Sequence, residues 1–331
     1  MIKLIGFLLF LSLSTISTAQ EIVTPEHLMG KLEEIIGVNL GQRRNHAQGI
    51  CVNGYFIGNA SVQKYSNSPM FSGNKINVVG RFSLASPSLK TPDYSRASRG
   101  LALMFHLPEG KKQVFAMLDI PVFSEDTPQT AYNNLLALAL DPDTGEPDLK
   151  KIAANLKKHP PPQAIVHFKD QNNPVTSYVH SDFFSIHTFK FINQSGTETL
   201  VKWRFDPQNG VKRLSDEQLE TMPSRFLNQE LMSSLKAAPA SWDMILVIGH
   251  PDDEQMNPTI LWPKNRQEIK AGILTLTSAS PQEEGECGNL NFDPLIMAEG
   301  IKPTDDPVLQ FRSPAYLISY KKRLEEQNIG K

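Results

Sequence analysis

Arg312, Tyr316, Ser319 and Arg323 follow one another at intervals of four, three and four residues. On an α-helix all four project from one stripe. A tyrosine ordinarily holds its proton up to a pH of about 10. A guanidinium one turn away favours the phenolate and does not give up its own charge. The stripe could therefore present an anionic oxygen, with a second cation further along; its plainer reading is an ion pair on a packed helix face. A second set is His46, Arg43 three residues before it, and Arg81 with Ser83 on a β-rich segment. Arg81 and Ser83 are two apart, so on a strand they face the same way. A neutral imidazole can take a proton from one atom of a substrate and return it to another. It does so only if a hydrogen bond fixes its tautomer and orientation. A lone histidine on a strand is, more often, a satisfied core residue.

A third candidate is Ile245-Leu-Val-Ile-Gly-His-Pro-Asp-Asp-Glu254. A strand running into His-Pro-Asp-Asp-Glu resembles the zinc motif of the N-acetylglucosaminyl deacetylases, where a His and an Asp bind metal and a neighbouring Asp is the base. An open tetrahedral zinc site needs a third protein ligand. The histidines stand at 27, 46, 106, 159, 167, 180, 187 and 250, so none follows His250. Pro251 and Asp252 are turn residues, and a polar turn after a strand is the simpler account.

The elements that must carry these residues are legible in outline. Thr24 and Pro25 read as N-cap and N1 of a helix reaching Ile36. Residues 46–57 and 76–85 have strand composition with glycines at bends, and Phe115 to Phe123 is another apolar run. Thr127 to Leu138 reads as a helix ending in a Gly/Pro/Asp-rich loop. His159-Pro-Pro-Pro162 reads as a stiff linker. His187 to Asn193 and Thr199 to Phe205 form a hairpin across Gln194-Ser-Gly196. Ser215 to Leu235 is helical with a break at Pro223, and Trp242 to Ile248 and Ala271 to Thr277 are strands. Asp306 and Pro307 open a C-terminal helix as N-cap and N1. Pro314 inside it removes the bond to residue 310, which predicts a kink. Strands and helices interleave without regular βαβ alternation, so the fold class is α+β, with an antiparallel β-barrel.

Composition narrows the function. Among 331 residues, 33 Lys+Arg balance 35 Asp+Glu, a net charge of −2, which leaves no basic footprint for nucleic acid. With 40% hydrophobic residues the chain can build a core. Two cysteines exclude a disulfide scaffold and a Cys₄ metal site. Lys3, the apolar run Leu4 to Leu13 and Ser17-Thr-Ala19 make a secretory signal over residues 1–19. The run is shorter than a membrane span needs, so no span remains after cleavage. Residues 20–331 would form a single exported, periplasmic domain. Cys51 and Cys287 would meet an oxidising compartment; whether they pair stays open.

The scattered pieces also have a specific order. Arg43-Arg-Asn-His46-Ala-Gln-Gly49 is followed by Gly54-Tyr-Phe56, Val62-Gln-Lys-Tyr65 and Gly80-Arg81-Phe-Ser83. Arg96-Ala-Ser-Arg99-Gly100, Ile120-Pro-Val-Phe123, His187-Thr-Phe-Lys190 and Trp262-Pro263 come next. Asn291-Phe-Asp-Pro294 and Asp306-Pro-Val-Leu-Gln-Phe-Arg312-Ser-Pro-Ala-Tyr316 close the series. Over residues 24–325 this order resembles the catalase superfamily, and the short exported form resembles the catalase-related haem peroxidases.

The resemblance implies a catalase-like barrel core that binds haem b. His46 matches the distal histidine and Ser83 the serine that bonds it. Tyr316 matches the axial ligand of the haem iron, and Arg312 the arginine that bonds its phenolate. Arg43, Arg81 and Arg323 match propionate partners. Ser319 completes the stripe, and Tyr132 is the candidate ring stacked over the haem. His187 and Asp306 match groups that buttress Arg312. Full catalases carry an asparagine three residues before the proline of an N-x-x-P-x-F segment. Here that position is Leu118, followed by Asp119 and then Pro121. Leu118 cannot hydrogen-bond a second peroxide, so the implied activity is reduction of hydrogen peroxide or a small organic hydroperoxide by an external small electron donor, with weak catalase activity. A haem-sequestering protein without turnover is the alternative. The donor's identity and any homo-oligomer stay open.

Overall fold

The structure is a computed structural model that describes residues 22–142 and 144–329. The expected signal segment, residues 1–19, lies outside the described residues. Helix α1 (Pro25–Ile36) starts where Thr24 accepts a hydrogen bond from the His27 N–H. Four strands follow: β1 (Gly49–Gly58), β2 (Lys75–Leu84), β3 (Arg99–His106) and β4 (Lys112–Leu118). Three helices come next, α2 (Pro128–Ala137), α3 (Leu149–Lys158) and α4 (Gln163–Gln171). Then β5 (Phe183–Phe184), β6 (Phe189–Ile192) and β7 (Glu198–Pro207) precede α5 (Asp216–Thr221) and α6 (Leu227–Ala237). The chain closes with β8 (Ala240–Ile248), β9 (Gln267–Pro281), β10 (Ile301–Pro303) and α7 (Pro307–Ile329).

The expected α+β class and antiparallel barrel are both present. The ring runs β7-β5-β4-β3-β2-β1-β9-β8 and returns to β7, while β6 and β10 extend from β7 outside the ring. Neighbouring strands are antiparallel throughout. Side chains of one parity fill the barrel. Phe56, Phe82, Phe105, Phe115, Phe205 and Trp242 are fully or almost fully buried there. The opposite parity looks outward, where Cys51, Val79, Met104 and Val114 join Cys287 and Phe292 in a separate cluster. Arg81 and Ser83 share that outward parity, so the site lies outside the barrel, against its wall.

The Pro-rich stretch 159–162 is the short connection between α3 and α4. Helix α7 runs from Pro307 to Ile329 with Pro314 inside it. Pro314 is exposed, so the freed carbonyl one turn back has access to water. The sequence left Cys51 and Cys287 open; they form a disulfide with Cα atoms 5.4 Å apart, across 236 residues of chain.

Candidate active site

His46 sits just before β1 with a φ of 54°, in the left-handed region that a bulky side chain rarely adopts. Three bonds hold it there. Its N–H donates to Asn45 Oδ1 at 2.8 Å, its carbonyl accepts from Arg81 Nη2 at 2.8 Å, and its Nδ1 lies 2.9 Å from Ser83 Oγ. Gly100 on β3 makes room for the ring: a Cβ there would stand 3.1 Å from His46 Nδ1 and 2.9 Å from Ser83 Oγ. With Nδ1 engaged, Nε2 is the nitrogen left for chemistry. Burial, and then the charges of Arg81, Arg312 and Arg43, lower the His46 pKa to about 3. The ring is therefore neutral across the physiological range.

Helix α7 packs on α1 and α2 and brings Arg312 within electrostatic reach of His46. Asp306 Oδ1 accepts the N–H groups of Val308 and Leu309, capping the first turn. Asp306 Oδ2 is 2.6 Å from Nδ1 of His187. Burial outweighs the pull of this carboxylate and lowers the His187 pKa to about 4, so a neutral ring donates its Nδ1–H to Asp306. Arg312 is near enough for its charge to act on His187, but His187 Nε2 is buried without a partner among the described residues. One turn on, Arg312 Nη2 donates to Tyr316 Oη at 2.8 Å. Arg312 Nη1 is buried and unpartnered among the described residues.

Arg43, Arg81 and Arg323 form the other half of the site. Arg43 Nη2 donates to the carbonyls of Cys287 and Leu290 at 2.9 and 3.1 Å. Arg323 Nη2 shares the Leu290 carbonyl at 3.1 Å. Arg81 Nη2 donates to Gln282 Oε1 at 2.7 Å. Arg81 and Arg323 are buried, each 3% exposed. Burial and the charges of Arg81 and Arg323 lower the Arg43 pKa. Burial brings Arg81 down to about 10. Among the ion pairs of the described residues, none gives these three a carboxylate. Arg44, next in sequence to Arg43, is by contrast fully paired. It meets Glu33 of α1 at 2.6 Å and Glu326 of α7. A buried cation without a counter-ion is costly. Buried Arg81 and Arg323 with half-buried Arg43 beside them, and Arg323 Nε unpartnered among the described residues, fit a group that brings its own carboxylates.

The remaining expected residues meet other neighbours within the chain. Ser319 Oγ accepts the Arg44 N–H at 3.3 Å, so this hydroxyl ties α7 to the chain before β1. Tyr132 on α2 lies within electrostatic reach of Lys31 on α1. Asp119 turns away from His46. Its Oδ1 accepts the Arg99 N–H at 2.8 Å, in a small cleft with Arg96, Phe168 and Arg213. In the His250–Glu254 segment, Asp253 Oδ2 accepts the His250 N–H at 2.7 Å and Asp253 pairs with Arg266 at 2.6 Å. Glu254 Oε1 accepts from Met256 and Asn257. These carboxylates are turn anchors, and no cluster of three His, Cys, Asp or Glu among the described residues could hold a metal ion.

The sequence reading missed Gly100, Gln282 and Arg44. A glycine inside a strand signals a close approach, so Gly100 had a visible cue; the other two had none. The Catalase family model matches residues 12–330. A catalase-related peroxidase of Synechococcus elongatus is 45% identical over 322 residues, covering 97% of this chain and 95% of that one. A second, from Mycolicibacterium paratuberculosis, is 28% identical over 91% of this chain and 95% of that one. Among solved structures, a fungal catalase at 21% identity superposes with a TM-score of 0.77 over 95% of this chain and 66% of that chain.

Proposed function

The chain belongs to the catalase family, a peroxide oxidoreductase related to the catalase-related peroxidases, and on that premise we propose that it is a haem b peroxidase using an external one-electron donor. The observation that carries this reading is the set of half-buried Arg43 and buried Arg81 and Arg323, without carboxylate ion pairs among the described residues, beside a helix on which Arg312 bonds Tyr316. Tyr316 would hold the iron as phenolate, and Arg312 would stabilise that charge. The three arginines would take the two haem carboxylates. Bound haem supplies an iron that passes electrons from donor to peroxide. The protein's share is the proton. His46 Nε2 would take it from one peroxide oxygen and return it to the other, which leaves as water from hydrogen peroxide or as the alcohol from an organic hydroperoxide. Ser83 keeps the ring in line during both transfers. Two donor molecules each give one electron and one proton, and hydrogen peroxide ends as two waters or an organic hydroperoxide as an alcohol and water.

A hemin titration followed by peroxide turnover with a dye donor tests this. One hemin per chain, a Soret band and dye oxidation are expected. Stoichiometric binding without turnover would favour haem sequestration; no binding would overturn both readings. No helix among the described residues is long and apolar enough to cross a membrane. We further propose that residues 20–331 form one domain exported to the periplasm. Mass spectrometry of the native protein should find Gln20, or a neighbour, at the N-terminus; retention of Met1 to Ala19 would refute it.

A further inference from the structure

We propose that the Cys51–Cys287 disulfide positions the arginine cluster, so that the oxidised chain retains haem and the reduced chain does not. This rests on reading the cluster as the seat of the haem carboxylates. Residues 282–290 leave the end of β9 and run along the surface. Glu283, Glu284, Glu286 and Asn289 are exposed, and only Gln282 and Cys287 are buried, at 8% and 0% exposure.

This thin segment supplies acceptors to every member of the cluster. Gln282 Oε1 receives Arg81, and its Nε2 donates to Gln42 Oε1 at 2.8 Å. The Cys287 carbonyl receives Arg43, and the Leu290 carbonyl receives both Arg43 and Arg323. The Asn289 carbonyl receives the Tyr320 hydroxyl of α7 at 3.1 Å. One covalent bond fastens the segment to β1. It packs closely on that bond: a Cβ on Gly285 would stand 2.5 Å from Cys51 Sγ. Without the bond, the Cys287 side chain in its apolar cluster, the Gln282 amide and the Tyr320 hydroxyl would have to hold an exposed acidic strip in place. The arginines would then lose their aim, because carbonyl acceptors orient a guanidinium only while they stay put.

The bond forms when two thiols lose two protons and two electrons to a disulfide oxidant, which becomes a dithiol. Both sulfurs are closed to solvent once folded, Cys51 at 1% and Cys287 at 0% exposure, so the staple must form before or during folding. Haem loading would thereby be confined to an oxidising compartment.

The test compares the wild type with Cys51→Ala/Cys287→Ala and with Gln282→Met, which keeps the disulfide. Two quantities are read: the rate of hemin transfer to excess apomyoglobin, and hydrogen exchange of residues 282–290 in the hemin-free chains. The double variant should release hemin at least tenfold faster, and Gln282→Met several-fold faster. Exchange protection should fall in 282–290 while β2 to β4 stay protected. Release within twofold of the wild type, or unchanged protection of 282–290, would overturn the proposal. A double variant that does not fold leaves Gln282→Met to decide, and wild-type release from that variant would overturn it. A wild type that takes up no hemin refutes the haem reading instead, and exchange of 282–290 still decides the staple.

Discussion

Leu118 stands in one cross-strand row with Ser83, and the residue between them is a glycine: Ser83 pairs with Gly100, and Gly100 pairs with Leu118. Directly paired residues share a face, so the Leu118 side chain looks out over the same wall as Ser83 and the His46 ring. An amide there would reach the space beside His46, and leucine leaves it without a polar group. Leu118→Asn should therefore raise oxygen release relative to dye oxidation, several-fold, at equal hemin content. An unchanged ratio, read with an oxygen electrode beside a dye assay, would show that the row does not control the branch.

The Arg312–Tyr316 bond predicts the outcome of Tyr316→Phe. The ring's packing is kept and the only phenol on the stripe's centre is lost. Hemin affinity should fall at least tenfold, and any hemin that binds should lack a phenolate-to-iron charge-transfer band. Full occupancy with the wild-type resting spectrum would show that Tyr316 is not the ligand.

For His46 the expected signature is kinetic. His46→Ala should keep hemin and slow the peroxide-induced change in the Soret band by about 10² to 10⁴; Ser83→Ala should slow it less. The pH profile follows from the pKa of about 3. The base is the neutral form, present above that pKa, so lowering the pKa extends the active form toward acid. The wild-type rate should stay flat from pH 8 to pH 4, and a step near pH 6.5 would mean a solvated imidazole.

Asp119 gives a stability test with the opposite sign. Burial raises its pKa from 3.8 to about 6, with Arg99 opposing. A raised carboxyl pKa makes the folded state the tighter proton binder, so its stabilising contribution is complete below the unfolded pKa and is lost as pH rises through about 6. Asp119→Asn keeps an acceptor for the Arg99 N–H and carries no charge. Arg99 also retains the carbonyls of Ser95 and Ala97 at 2.8 and 2.6 Å. The variant's melting temperature should match the wild type near pH 4.5 and exceed it by roughly 2–4 °C at pH 7.5, for about 1–2 kcal/mol. A gap that does not change with pH would rule out Asp119 as the titrating group.

What could be read from the chain was what is local. Thr24 and Asp306 are caps, the α7 stripe is an i+4 rule, and both survive into the structure because a helix carries its own geometry. Helices α3 and α4 escaped notice although α3 is as long as α2. The first, LKKIAANLKK, buries no side chain, and the second is followed by no glycine stop. The wall was harder. From Val78 to Leu84 every residue of β2 is buried, so the alternation that would have separated inside from outside is missing. Arg81 and Ser83 looked like polar intrusions in an apolar run. Gln282 and the cysteine pairing depend on contacts between distant segments, which no window of sequence displays.

Because the site is built on the outer surface of a closed barrel, neighbouring letters of the sequence answer to different demands. Phe82 belongs to the filling of the barrel and Ser83 to the hydrogen bond with His46. An insertion of one residue early in β2 would exchange the two sets wholesale, driving Arg81 and Ser83 into the hydrophobic interior while Phe82 faced His46. An insertion of two would restore the parity and displace the pattern by one pleat. Along these strands the unit of inheritance for both fold and chemistry is thus the residue pair, and length changes of even number are the ones a descendant of this protein could accept.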